Sequence, residues 1–105
     1  MITLANTPKP PYYCVVFTSI LSNDTEGYAA MGTRMQALAA TQVGFLGIES
    51  AREELGITVS YWQSLDAIKA WKQNAEHIEA QQMGKARWYS QFALRISKVE
   101  HDYFM

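Results

Sequence analysis

The sequence predicts an α+β fold with strands and helices in the order β-α-β-β-α-β. Three observations carry that expectation. Residues 12–21 form a run apolar on both faces of a period-2 register. Two stretches with apolar residues at helical spacing, Tyr28, Met31, Met35, Leu38 and then Leu65, Ile68, Trp71, Ala75, each follow a strand pattern. Between them, Glu53-Glu54-Leu55-Gly56 separates two strand-like segments closely enough for an antiparallel hairpin.

Residues 1–11 are polar and proline-rich, without the basic start and apolar middle of a signal peptide, and read as a flexible leader. In the first strand, Tyr13, Val15, Phe17 and Leu21 share one face and Cys14, Val16 and Ile20 the other, so both faces call for burial. Asn23 followed by Glu26 has capping-box spacing and predicts the start of the first helix, which ends before Gly44 with Arg34 and Gln36 towards water. Residues 45–52 and 57–62 are the hairpin strands, in which Glu49 and Arg52, three apart, face opposite sides. Ser64 is an N-cap for the second helix, whose pattern weakens at Asn74, resumes over 78–83 and stops at Gly84. The last strand, 87–99, carries Trp88, Phe92, Leu94 and Ile96 on one face and Tyr89, Ala93 and Val99 on the other.

Right-handed crossovers turn this order into a ferredoxin-like, four-stranded antiparallel sheet with both helices on one face, a single domain over 12–105. Two helices leave the second face bare although the first and last strands carry apolar residues on both faces, and a second copy of the sheet would cover it. A homodimer with a barrel-like interface is therefore expected, with the tail His101-Asp102-Tyr103-Phe104 placed to reach the partner.

Nine Lys and Arg against ten Asp and Glu give a formal charge of -1, which argues against nucleic acid or an anionic membrane as partner. No stretch approaches the roughly 18 apolar residues of a membrane span. Cys14 is the single cysteine, so no disulfide within the chain and no cysteine metal cluster can form, and a reducing, cytoplasmic setting fits. His77 and His101, far apart in the chain, do not make a metal site, and no glycine-rich phosphate loop suggests a nucleotide. No cofactor is expected.

The Gly44-Phe45-Leu46-Gly47 turn into the second strand, the strand-end pair Tyr61-Trp62, Trp71 nine residues later and Trp88-Tyr89 before the last strand resemble, in order and spacing, the antibiotic biosynthesis monooxygenase domain family. The resemblance covers about residues 12–100. It implies a dimeric α+β barrel with a pocket between sheet and helices in each subunit, where cofactor-independent members oxidise phenolic or quinone-forming polycyclic molecules with molecular oxygen. The family also includes haem-degrading members. Those carry a tryptophan at the position of Trp71 and an axial histidine ten residues on, where this chain has Gln81, and an asparagine on the first strand, where it has Thr18 or Ser19. An amide is a poor iron ligand beside imidazole, which sets haem degradation behind the other readings.

Oxygen chemistry without metal or flavin takes its electron from the substrate, so the protein must deprotonate it, exclude water and stabilise the anion. His77, whose ordinary pKa near 6.5 suits a neutral-pH base, Trp71 and Asn74 are the candidate catalytic residues. Trp62, Tyr61, Gln81, Trp88 and Arg95 are candidates for holding a small aromatic substrate. The plainer readings are a core tryptophan at Trp71, an exposed helix histidine at His77 and a cross-sheet ion pair for Arg95. A non-catalytic binding or stress-associated protein would use the same pocket without needing an aimed polar group.

Overall fold

The structure is a computed structural model that describes residues 3–81 and 87–105, with the helical backbone alone for 77–81. Its elements are β1 (Tyr12–Leu21), α1 (Tyr28–Ala39), β2 (Phe45–Arg52), β3 (Gly56–Trp62), α2 (Leu65–Gln81) and β4 (Tyr89–Val99). The sheet runs β2-β3-β1-β4 with every neighbouring pair antiparallel, the ferredoxin-like arrangement expected from the element order. Predicted and observed limits coincide for β1 and β2. The helix stop expected at Gly84 lies outside the described residues.

Four local expectations are corrected. First, Asn23 does not cap α1: the cap position is Gly27, at φ 82°, with no side-chain hydrogen bond. The preceding polar residues are spent on their own turn, where Ser22 Oγ accepts from the Asp24 N–H and an Asp24 carboxylate oxygen accepts from the Glu26 N–H. A left-handed residue is then needed to enter the helix, and only glycine takes it without strain. Second, α2 does not weaken at Asn74 but passes through it. The low helix propensity of Asn costs less than about 1 kcal/mol, and its amide donates to Gln42 Oε1 at 3.0 Å.

Third, β4 begins at Tyr89 and not at residue 87. Fourth, Tyr89 faces the helices. The β1–β4 register shifts between Ile20 and Leu21, which pair with Gln91 and Tyr89, and the extra residue breaks the period-2 alternation. Tyr89 thereby reaches Tyr28, ring centres 5.8 Å apart, and Phe17 at 5.3 Å.

The core forms between the sheet and the helices in two clusters. Val15, Trp62 and Ile68 make one, with Phe45 and Trp71 packed on it. Met31 and Trp88 make the other, with Tyr28, Met35 and Leu38, the apolar stripe predicted for α1. The Ser64 hydroxyl accepts from the Ala67 N–H at 3.0 Å, the expected N-cap of α2. No helix among the described residues is long and apolar enough to cross a membrane.

Beside the sheet's second face, Ala5 donates to Glu49 Oε2 at 3.0 Å, and the Thr7 hydroxyl donates to the Tyr12 hydroxyl, which donates in turn to Asp102 Oδ2 at 2.6 Å. Residues of the leader and of the tail thus meet there. On the helix-facing side of β4, Phe92, Leu94 and Ile96, paired with Ser19, Phe17 and Val15, remain exposed apolar groups, as do Tyr103 and Phe104 in the tail.

Candidate functional site

A cavity of about 450 Å³ opens between the helix-facing side of the sheet and the two helices. Alternation along the strands decides which residues line it. β1 supplies Val15 and Phe17, β2 supplies Ile48, Ser50 and Arg52, and β3 supplies Thr58 and Ser60. From above, α1 contributes Tyr28, Met31 and Met35, and α2 contributes Ile68, Trp71 and Ala75, one helix face each. Trp88, Tyr89 and Leu94 complete the wall. The size falls within the roughly 300–1,000 Å³ of small-molecule sites, and the lining is mostly apolar, as such sites are.

Trp62, fully buried, lies beneath this space and donates from Nε1 to Ser60 Oγ at 2.9 Å. Trp71 stacks on it, centroids 6.0 Å apart, and presents its ring to the cavity. Trp88, 3% exposed, donates its indole N–H to the Glu26 carbonyl at 2.8 Å and meets Tyr28 edge-on. Both indole donors are satisfied by the protein, so Trp88 offers the cavity apolar surface and not a hydrogen bond, and Trp62 supports the wall from below.

Ionic groups lie at two places in the lining. Lys72 and Glu76, one turn apart on α2, pair at 3.9 Å with about half of each side chain exposed. Such a pair stabilises by no more than about 0.5 kcal/mol and leaves both groups open to exchange partners. Arg52, half-buried, reaches from the end of β2 across Gly56 of β3 to Ser19 of β1. A Cβ on Gly56 would overlap the guanidinium, so glycine there leaves the passage open.

The other sequence-predicted residues are placed differently. Asn74 is exposed and bonded to Gln42, outside the cavity lining. Tyr61 and Arg95 face the opposite side of the sheet, because their β1 partners are Cys14 and Val16, and so do not line this cavity. The side chains of His77 and Gln81 lie outside the described residues; the backbone places His77 next to Glu76 on α2. Sequence reasoning put Arg52 at the end of a strand, on the face opposite Glu49, but did not count it among the site residues. The available signal was Gly56 directly across the hairpin, a strand residue without a side chain opposite a long one.

On the second face, the Tyr61 hydroxyl donates to Glu49 Oε1 at 2.6 Å, beside Tyr12. Burial, and then the bond to Glu49, push the Tyr61 phenol well above its ordinary value. Burial likewise raises Tyr12, with the bond to Asp102 adding to it, and raises the Cys14 thiol. These groups are held neutral and belong to the packing of that face. Among the described residues, no cluster of three or more His, Cys, Asp or Glu forms a metal site.

Comparison with known proteins extends the geometry. The family model described as antibiotic biosynthesis monooxygenase matches residues 22–83. Protein YqjZ of Bacillus subtilis (strain 168), itself uncharacterised, is 50% identical over 101 residues, covering 94% of this chain and 89% of its own. Among solved structures, SnoaB from Streptomyces nogalater, a cofactor-independent oxygenase, superposes with a TM-score of 0.71 at 14% identity, over 89% of this chain and 97% of that one. PA3566 from Pseudomonas aeruginosa gives 0.67 at 14% identity, over 91% and 99%. The structural likenesses show the shared fold, and the family match covers more than half of the sequence. This chain therefore belongs to the antibiotic biosynthesis monooxygenase family.

Proposed function

We propose that the protein is a cofactor-independent monooxygenase acting on a small aromatic molecule, phenolic or polycyclic, and working as a cytoplasmic homodimer. The observation that carries this reading is the mostly apolar cavity of about 450 Å³ walled by Trp71, Trp88, Tyr28 and Tyr89, whose ring surfaces suit an aromatic molecule. The oxygenase SnoaB, with the same fold, supports it.

In this reading the ring system lies against Trp71, and His77 accepts the proton of a phenol or of an activated ring carbon. The resulting anion passes an electron to molecular oxygen. Recombination forms one carbon–oxygen bond, and loss of water leaves the carbonyl of a quinone, so that one oxygen atom enters product and the other leaves as water. The protein's part is to take the proton and shield the anion.

Oxygen consumption by the purified, metal-free protein with dihydroxynaphthalenes and anthrones tests the proposal. Substrate-dependent uptake that is lost in a Trp71→Phe/His77→Ala variant supports it. Tight binding of the same compounds without uptake replaces it with a non-catalytic binding protein, and a Soret shift on haem titration would favour the haem-degrading branch.

A further inference from the structure

Arg52 places a positive charge in the lining of a mostly apolar cavity. Among the described residues no carboxylate lies within 4.0 Å of it; the ion pairs belong to Lys72 with Glu76 and to Arg87 with Asp24. Its contacts are neutral: Nη1 donates to the Ser19 carbonyl at 3.3 Å, Nη2 donates to the Ser19 hydroxyl, and the guanidinium lies 5.7 Å from the centre of the Tyr28 ring. Ser19 is itself 2% exposed and anchored in the central strand, so the charge is held in place from below.

Among the described residues this half-buried cation is met by neutral acceptors and a ring face alone, a costly arrangement in a fold that could have put a neutral residue there. Of the guanidinium's five N–H groups, the two bonds to Ser19 leave three, enough for a two-pronged bond to a carboxylate. Tyr28, which stacks against the guanidinium, also lines the cavity beside Trp88, so charge and aromatic wall adjoin.

We propose that Arg52 is an anion anchor of the cavity and that the ligand is a planar aromatic carboxylic acid, its carboxylate on Arg52 and its rings between the helices and the sheet. The proposal rests on the reading of the cavity as a small-aromatic site and specifies the class of molecule it takes. Ser19 is then a positioning residue, acting through the orientation it imposes on the guanidinium.

Naphthalene-2-carboxylate and naphthalene-2-carboxamide, matched in shape and differing in charge, separate the anchor from the apolar walls. In titration calorimetry at neutral pH the wild-type protein is expected to prefer the carboxylate by about ten-fold or more, a preference that falls as salt is added. Arg52→Gln should bring the ratio to about one while leaving carboxamide affinity within about two-fold, and Arg52→Lys should keep part of the preference. A wild-type ratio near one, an unchanged ratio in Arg52→Gln, equal loss of both ligands in that variant, or no binding of either at millimolar concentration overturns the proposal. If Arg52→Gln does not fold by circular dichroism, the wild-type ratio, its salt dependence and Arg52→Lys decide. Oxygen uptake with neutral dihydroxynaphthalenes but no carboxylate preference would sink the anchor and leave the oxygenase reading standing; a carboxylate preference without uptake of oxygen would do the reverse.

Discussion

The indole rings of Trp62 and Trp71 stack 6.0 Å apart and 24° from parallel, one wholly buried at the end of β3 and the other facing the cavity from α2. That contact, beside the packing of Ile68 on Trp62, ties strand and helix to the cavity wall. The two positions should therefore answer differently to substitution. Trp62→Ala is expected to lower unfolding stability by about 3–5 kcal/mol, because it empties the core beneath the cavity. Trp71→Phe should cost less than about 1.5 kcal/mol, while weakening the binding of fused-ring compounds. Urea titrations and ligand calorimetry on both variants check this.

Gly56 and Arg52 should be energetically coupled. A methyl at position 56 overlaps the guanidinium, so Gly56→Ala must push Arg52 away from Ser19 and leave buried acceptors unpaired. We expect Gly56→Ala to cost about 1–2 kcal/mol alone and clearly less when Arg52 is already Ala, a coupling measured by a double-mutant cycle. Additive effects would mean that the two residues do not share that space.

The Tyr61 phenol gives an alkaline limit. Its folded pKa stands well above the ordinary 10.0, through burial and the bond to Glu49, so the folded chain keeps this proton after the unfolded chain has lost it. The unfolded state then binds fewer protons, and stability falls as pH rises beyond about 10. Tyr61→Phe should flatten that fall, seen as a smaller change in urea midpoint between about pH 9 and pH 11. An unchanged slope would move the effect to other groups.

Self-association is the expected fate of the apolar groups left in water on β4 and the tail. Ile96 is 44% exposed, and Phe104 55%. Light scattering should give twice the chain mass of 11.9 kDa for the wild type. Ile96→Arg should shift the protein towards monomer at micromolar concentration. A monomeric wild type would remove the dimer.

Much of the fold was legible because period-2 and helical patterns are set by burial, which acts on every residue of an element. The limits of β1 and β2 and the Ser64 cap follow directly from such patterns. The reading failed where one residue breaks a period. The register shift at Ile20 and Leu21 turned Tyr89 to the other face, and the turn built by Ser22 and Asp24 used up the residues expected to cap α1. Trp71 and Trp88, which carry the resemblance, line the cavity, as does Arg52, which the resemblance did not single out. Its role depends on crossing from β2 over β3 to β1, and a path across three strands leaves no periodic trace in a linear sequence.

The Tyr12 hydroxyl stands between Thr7 and Asp102, and through it residues near the two ends of the domain are held a few ångströms apart. The stretches around Thr7 and Asp102 thus lie side by side. A short glycine-serine bridge between those stretches, with new ends cut into the exposed hairpin at residues 53–55, would preserve every strand pairing. The wiring of this fold is accordingly separable from its shape, and a rewired chain is expected to bind the same aromatic probes as the original.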